Sequence, residues 1–281
     1  MKTKLNIKSI KRLCNVLNTD QKNLYEILHT FEKSCRKKTI ITKSGKIRNI
    51  IIASTPVKTI QKNILYLLYK VYIHDAAHGW RKGRSIKTNA QKHCGNPAKL
   101  CLDIKNCFPN THSSTIRKLF EEHLGCSPLI SRELTRLTTF DYMLPQGFST
   151  SGALINILFR KMDLALSRIA KKYSLVFTRY GDDITFSGKY ISHNIRKYII
   201  NKILSFGIIL NNKKEEYTSG DFSPLITGLN TSGHHLKVPR SYKKRLRASL
   251  HRADHAKTDS ERENILQRVR HQSLYIQNME S

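Results

Sequence analysis

Two adjacent aspartates, Asp182 and Asp183, follow Gly181 between two short runs that alternate in polarity, 174–180 and 184–187. The spacing predicts a tight β-hairpin with both carboxylates at its tip, Gly181 supplying the backbone dihedrals of the turn. Side by side, like charges repel and raise one another's pKa unless a cation lies between or beside them. A hairpin that pays this cost serves as a rigid mount for acids. In a chain of 281 residues with 50 Lys and Arg against 20 Asp and Glu, a formal charge of +30, carboxylates so placed are unlike the rest of the surface.

The chain is long enough for one large domain or for two or three lobes around a cleft. Its charge exceeds what solubility requires and points to a polyanionic partner, nucleic acid first and an anionic membrane surface second. No stretch approaches the ~20 apolar residues of a membrane span, and residues 1–12 lack the apolar centre of a signal peptide, so the expected setting is the cytoplasm without membrane attachment. Six scattered cysteines include no C-x-x-C pair, which argues against a zinc site and a disulfide framework and for free thiols.

Along the chain, residues up to about 36 read as two short amphipathic helices. The runs 39–42 and 47–52 form a basic-tipped hairpin, and a helix follows over 57–71. Residues 99–104 read as a buried strand bearing a third acid, Asp103, and 113–124 as a capped helix. Residues 149–172 give the longest helical pattern, and a further helix is expected over 194–206. The order strand, helix, strand pair, helix is that of a split βαβ sheet, in which Asp103 can converge on Asp182 and Asp183. From His234 onward eleven Lys and Arg face five Asp and Glu in a helical pattern. Three hard oxygen ligands suit Mg²⁺, and a pair of such ions about 3.5 to 4 Å apart suits nucleotidyl transfer.

The ordered motifs resemble the reverse transcriptase family over about residues 40–230. Asp103-Ile104-Lys105-Asn106-Cys107-Phe108 is similar to its first catalytic motif, an acid followed five residues later by an aromatic. The likeness implies that Phe108 packs under the sugar and excludes a 2′-hydroxyl. Leu144-Pro145-Gln146-Gly147, with Ser151 and Asn156 beyond, resembles the second motif, implying that Gln146 and Gly147 line the incoming nucleotide; the Pro usual after that Ser is Gly152 here. Tyr180-Gly181-Asp182-Asp183 has Gly where Ala is usual. Asn211-Asn212-Lys213-Lys214 resembles the motif whose Lys neutralises or protonates pyrophosphate; the role is assigned to Lys214, with Lys213 the alternative because Glu215 replaces the usual Thr. Lys46 and Arg48 match residues that clamp the triphosphate, as a point charge and a fork would.

Two elements resemble retron enzymes in particular: Asn89-Ala90-Gln91-Lys92-His93, matching N-A-x-x-H, and Ile226-Thr227-Gly228, matching V-T-G with Ile for Val. The loop from Gly79 to Ser85 offers Trp80 for stacking with Arg81 and Arg84 for phosphates. Asn89 and His93 join this expected nucleic-acid surface, as do Lys243, Lys244 and Arg245, whose contacts would weaken with salt.

The resemblance implies an α+β right-hand polymerase: N-terminal helices and fingers over 1–97, a ferredoxin-like palm over 98–232 with a fingers segment near 113–140, and a short basic helical thumb over 233–281. It implies RNA-directed DNA synthesis with two Mg²⁺, Mn²⁺ substituting, held by Asp103, Asp182 and Asp183. Its implied partners are dNTPs, a structured noncoding RNA serving as template and primer, the RNA–DNA product, and an effector protein in anti-phage defence. One rival is an RNA-dependent RNA polymerase, which Phe108 opposes. The other is a noncatalytic RNA binder on the same scaffold, which retention of three acids, Gln146 and Lys214 opposes.

Overall fold

The computed structural model describes residues 4–42, 45, 47–220 and 224–281. In chain order the first elements are α1 (Ile10–Leu17), α2 (Gln21–Thr30), β1 (Cys35–Ile41), β2 (Ile47–Ala53), α3 (Thr55–Leu68) and α4 (Ile86–Gln91). Next come β3 (Ala98–Asp103), α5 (Ser113–Lys118), α6 (Pro128–Thr138), α7 (Ser151–Leu158) and α8 (Arg160–Lys172). The last are β4 (Val176–Tyr180), β5 (Asp183–Gly188), α9 (His193–Leu204), β6 (Glu216–Thr218), α10 (Arg240–Asp254) and α11 (Asp259–Glu280). The chain divides into two compact units, residues 1–80 with 104–164 and residues 81–103 with 165–281.

The first unit is a helical cluster with a two-stranded ribbon. Leu13 and Leu17 of α1, Leu24 and Leu28 of α2, Ile60, Ile64 and Leu68 of α3 and Leu134 and Leu137 of α6 are all buried, the periodic stripes meeting in one core. Two side-chain amides tie its helices together: Gln61 donates to the Leu137 carbonyl and Asn63 to that of Leu17. Strand β1 begins at Cys35, earlier than the alternation predicts, because exposed Arg36, Lys37 and Lys38 break the apolar pattern while still pairing with β2.

The second unit is built on a four-stranded antiparallel sheet in the order β4-β5-β3-β6. Strands β3 and β4 run parallel with β5 inserted between them, so the expected split βαβ arrangement is present. A smaller core of Ala90, Ile226, Leu229, Leu236 and Val238 is covered by Tyr242, Tyr275, Ile276 and Met279, joining α4 to the paired helices α10 and α11.

Two helical expectations change. The pattern over 149–172 is two helices separated at Phe159 (φ −81°, ψ 0°), with the hydrogen bonds from Phe159 N to Ile155 O and Asp163 N to Phe159 O carrying the chain through the break. The apolar stripe continues across it, so periodicity does not register the change. The longest helix is instead α11, at 22 residues. After α5 the chain continues as a π-turn over Leu119–His123. All six cysteines are free, as their spacing predicts. Among the described residues no helix is long and apolar enough to cross a membrane.

Candidate active site

Asp103 is the last residue of β3 and pairs directly with Asp183, the first residue of β5. Across the hairpin Asp183 pairs with Tyr180, leaving Gly181 (φ +68°) and Asp182 as the turn. The sheet register therefore brings the three acids of the sequence reading to one end of two neighbouring strands. Arg179, fully buried in β4, donates from Nη1 to the Gly181 carbonyl at 2.9 Å and so braces the turn from below. Sequence reasoning passed over this residue, though an arginine within Val-Phe-Thr-Arg-Tyr is a detectable anomaly for a buried strand.

Asp103 is 6% exposed and both of its oxygens are engaged. Asn211 Nδ2 donates to Oδ1 at 3.1 Å, and Lys214 Nζ reaches Oδ2 at 2.5 Å. The Asn211 amide also donates to the Asp103 carbonyl, fixing the turn Asn212–Lys214 beside the strand end. Of the two candidate lysines, Lys214 is the one that reaches the acids. Asp183 keeps solvent-exposed surface, but its carboxyl group is crowded: partial burial first, then Asp182 and Asp103, push its pKa up to about 6 against the opposing pull of Lys214. A group in this condition gains from a nearby cation. Hard carboxylate oxygens fit Mg²⁺, although among the described residues no three such side chains are already gathered around a common point.

Beside the acids lies a cavity of about 240 Å³, lined by Asp103, Asp183, Lys214, Thr185, Glu216 and the segment Leu225–Gly228. Thr227 adopts φ +47° and donates to the Ile86 carbonyl, which holds Ile226-Thr227-Gly228 as a wall of that cavity. Glu216, opposite Cys101 in the β3–β6 register, is a fourth carboxylate here that the sequence reading did not single out.

Asn89 and His93 are corrected. Both are buried, and His93 has Nδ1 at 2.6 Å from Ser187 Oγ and Nε2 at 2.7 Å from Thr178 Oγ1. His93 thus ties the end of the α4 region to β4 and β5, and neither side chain is at the surface. Arg81 and Arg84 are half-buried in the loop before α4. Lys243 is also engaged, its ammonium bonded to Glu280 of α11, whereas Lys244 and Arg245 are exposed.

In the first unit, the Gln146 carbonyl accepts from the Ile51 amide at 2.8 Å, tying the Leu144–Gly147 segment to β2. Gly147 has φ +112°, and a Cβ there would lie 2.4 Å from the Ile51 carbonyl oxygen, so only glycine fits. Ser151 Oγ donates to the Pro145 carbonyl, fastening this segment to the start of α7. Phe108 is half-buried against Trp80. Arg48 is exposed on β2, and Lys46 lies outside the described residues.

Residues 35–257 match the family described as reverse transcriptase (RNA-dependent DNA polymerase). The chain is 30% identical over 209 residues to the retron Ec86 reverse transcriptase of Escherichia coli, covering 73% of this chain and 65% of that protein. It is 30% identical over 230 residues to the retron Mx65 reverse transcriptase of Myxococcus xanthus, covering 74% and 53%. The matches thus span between about half and two thirds of these relatives' length. Among solved structures, a telomerase from Candida albicans in complex with a TWJ fragment of telomeric RNA aligns with a TM-score of 0.52 at 15% identity, covering 77% of this chain and 50% of that one. The apo telomerase of Candida tropicalis aligns at 0.52 with 13% identity, covering 73% and 47%. These structural likenesses bear out the expected class, a mixed helix-and-sheet right-hand polymerase fold. The family match takes in the strand that ends at Asp103, the Asp182–Asp183 turn and the Lys214 segment together, and on that footing the chain belongs to the reverse transcriptase family of RNA-dependent DNA polymerases.

Proposed function

We propose that the chain is a retron-type reverse transcriptase of the bacterial cytoplasm, extending DNA on a dedicated structured noncoding RNA that serves as template and primer. The observation that carries the reading is the direct pairing of Asp103 with Asp183 beside Asp182, with Lys214 in contact. Retron enzymes among its relatives support the narrower assignment. In this reading residues to about 97 form the fingers, 98–232 the palm and 233–281 the thumb.

Asp103, Asp182 and Asp183 hold two Mg²⁺, with Mn²⁺ as a substitute; when bound, such ions supply charge that activates a hydroxyl nucleophile and stabilises a leaving oxygen. Lys214, on a flexible stem, exchanges Asp103 for the departing pyrophosphate and neutralises or protonates it. Phe108 excludes the 2′-hydroxyl, Gln146 and Gly147 line the nucleotide, and Lys46 and Arg48 clamp its triphosphate. Arg81, Arg84, Lys244 and Arg245 take phosphates of the RNA and of the RNA–DNA product. Priming from a 2′-hydroxyl of the RNA and a role in anti-phage defence with an effector protein complete the proposal.

The test is to purify the protein with the RNA encoded upstream, add Mg²⁺ with labelled dNTPs or NTPs, and digest the product with DNase and RNase. DNA joined to RNA is the expected result. An RNA product would replace this reading with an RNA polymerase, and no product from folded, RNA-bound protein would replace it with a noncatalytic binder.

A further inference from the structure

Trp80 is the only tryptophan of the chain, and its backbone lies at φ +51°, a left-handed conformation that a bulky residue keeps only when its surroundings hold it there. Two features of α7 do so. Asn156, fully buried, donates from Nδ2 to the Gly79 carbonyl at 2.7 Å and fixes the chain one residue earlier. The indole then lies directly over Gly152, where a Cβ would come within 2.3 Å of the indole Cγ and 2.5 Å of Cδ2. Gly152 is the second residue of α7, and its missing side chain is the space the indole occupies.

Seated in this way, the indole meets the ring of Phe108 in an edge-to-face contact, with centroids 5.3 Å apart and planes at 75°. Trp80 is 43% exposed and Phe108 half-buried, so the pair forms an aromatic wall open to solvent and not an interior contact. The second-motif departure at Gly152 and the loop tryptophan are thus two members of one arrangement whose third is Phe108, the residue assigned to the sugar.

We propose that Trp80 is a positioning residue for deoxynucleotide selection: its indole fixes the ring of Phe108 in the orientation that excludes a 2′-hydroxyl. A gate discriminates by a clash, and a clash requires that the ring cannot turn aside. The aryl torsion of a phenylalanine is broad by itself, and the indole packed against the ring narrows it. This rests on the polymerase reading above and adds to it that selectivity belongs to the Trp80–Phe108 pair.

The test measures kcat and KM for one dNTP and the matching NTP on a primed RNA template with wild type, Trp80→Phe, Trp80→Ala, Phe108→Ala and the double alanine variant. Trp80→Ala is expected to lower the dNTP preference, the ratio of kcat/KM for the dNTP to that for the NTP, about tenfold, any loss common to both substrates leaving that ratio unchanged. Trp80→Phe should keep most of the preference, and the double variant should be no less selective than Phe108→Ala alone. An unchanged preference in folded Trp80→Ala, or equal losses on both substrates, overturns the proposal. Wild type that incorporates neither nucleotide overturns the polymerase reading itself, a result distinct from either. A second measurement does not depend on activity. Phe108→Leu should shift the emission of the sole tryptophan, and Gly152→Ala should lower the Tm of wild type but raise that of Trp80→Ala, where the new methyl meets no indole and the unfolded chain loses freedom. Unshifted emission, or the same change in Tm in both backgrounds, overturns the proposed contact.

Discussion

The ammonium of Lys214 lies 2.5 Å from Asp103 Oδ2, and Asp103 in turn stands opposite Asp183 in the sheet, so one flexible cation is bonded to the acid that neighbours the Asp182–Asp183 turn. The arrangement gives Lys214 two opposed effects. Its charge offsets the repulsion among the carboxylates, and it competes with any other cation for Asp103.

Replacing Asp103 by Asn is therefore expected to reduce DNA synthesis by roughly 10³-fold or more while the fold is retained, since several kcal/mol of transition-state stabilisation depend on that charge. With Lys214 in its proposed role, neutralising or protonating pyrophosphate, Lys214→Ala should lower kcat by about 10²-fold or more. It should also bind Mn²⁺ more tightly than wild type in the absence of nucleotide, because the competing ammonium is gone. Single-turnover kinetics and calorimetric Mn²⁺ titration check the two parts. A Lys214→Ala enzyme with wild-type kcat removes this residue from the chemistry.

Asp183 carries a pH prediction. Its folded pKa is raised from 3.8 to about 6, with burial first and then Asp182 and Asp103 as the cause, so the folded state holds this proton more tightly than the unfolded state. Stability from this group is accordingly greatest at low pH and is lost as pH rises from about 4 through 6. In a chelating buffer Asp183→Asn should melt above wild type at pH 7.5, with the gap closing towards pH 4; Mg²⁺ at pH 7.5 should narrow it by stabilising wild type alone. A gap independent of pH would mean that electrostatic crowding is not its origin.

His93 separates a structural role from a binding one. Both ring nitrogens are bonded, to Ser187 and Thr178, with no exposed surface. His93→Ala should cost about 3 kcal/mol by opening a void and removing the partner of Thr178 Oγ1, while Ser187 Oγ keeps its bond from Asn96. At temperatures where the variant is folded, its RNA affinity and salt dependence should match wild type. Lost RNA affinity without lost stability would restore a direct contact.

This residue also shows where sequence reading stops. The hairpin acids were legible because everything that defines them, the glycine, the acids and the flanking alternation, is local to 174–187. The split βαβ order followed from element succession. Whether a histidine after a helix points outward or into a sheet depends on partners about ninety residues away, which periodicity does not carry. Which of Lys213 and Lys214 reaches Asp103 likewise depends on the turn that Asn211 fixes against that acid. Arg179 was missed because a strand reading averages over its residues, and the break at Phe159 because an apolar stripe looks the same on one helix or on two.

The C-terminal basic residues differ from one another in a way that salt dependence can read. Lys243 is bonded to Glu280, which also accepts from the Val238 amide. Burial alone would raise the Glu280 pKa, but the bonds from Lys243 and Val238 outweigh it and hold the carboxylate below its ordinary range. This lysine therefore belongs to the joint between α10 and α11. Lys244 and Arg245 are exposed, with the Arg245 guanidinium 5.5 Å from the Tyr242 ring centre, and are available to phosphates. If they serve as the proposed contacts, the double alanine variant should bind RNA more weakly for all sequences, and the slope of log K against log salt should become shallower by about two. Lys243→Ala should lower the melting temperature and leave that slope nearly unchanged. The reverse pattern, a shallower slope from Lys243→Ala and none from the double variant, would move the phosphate contact onto the other face of α10.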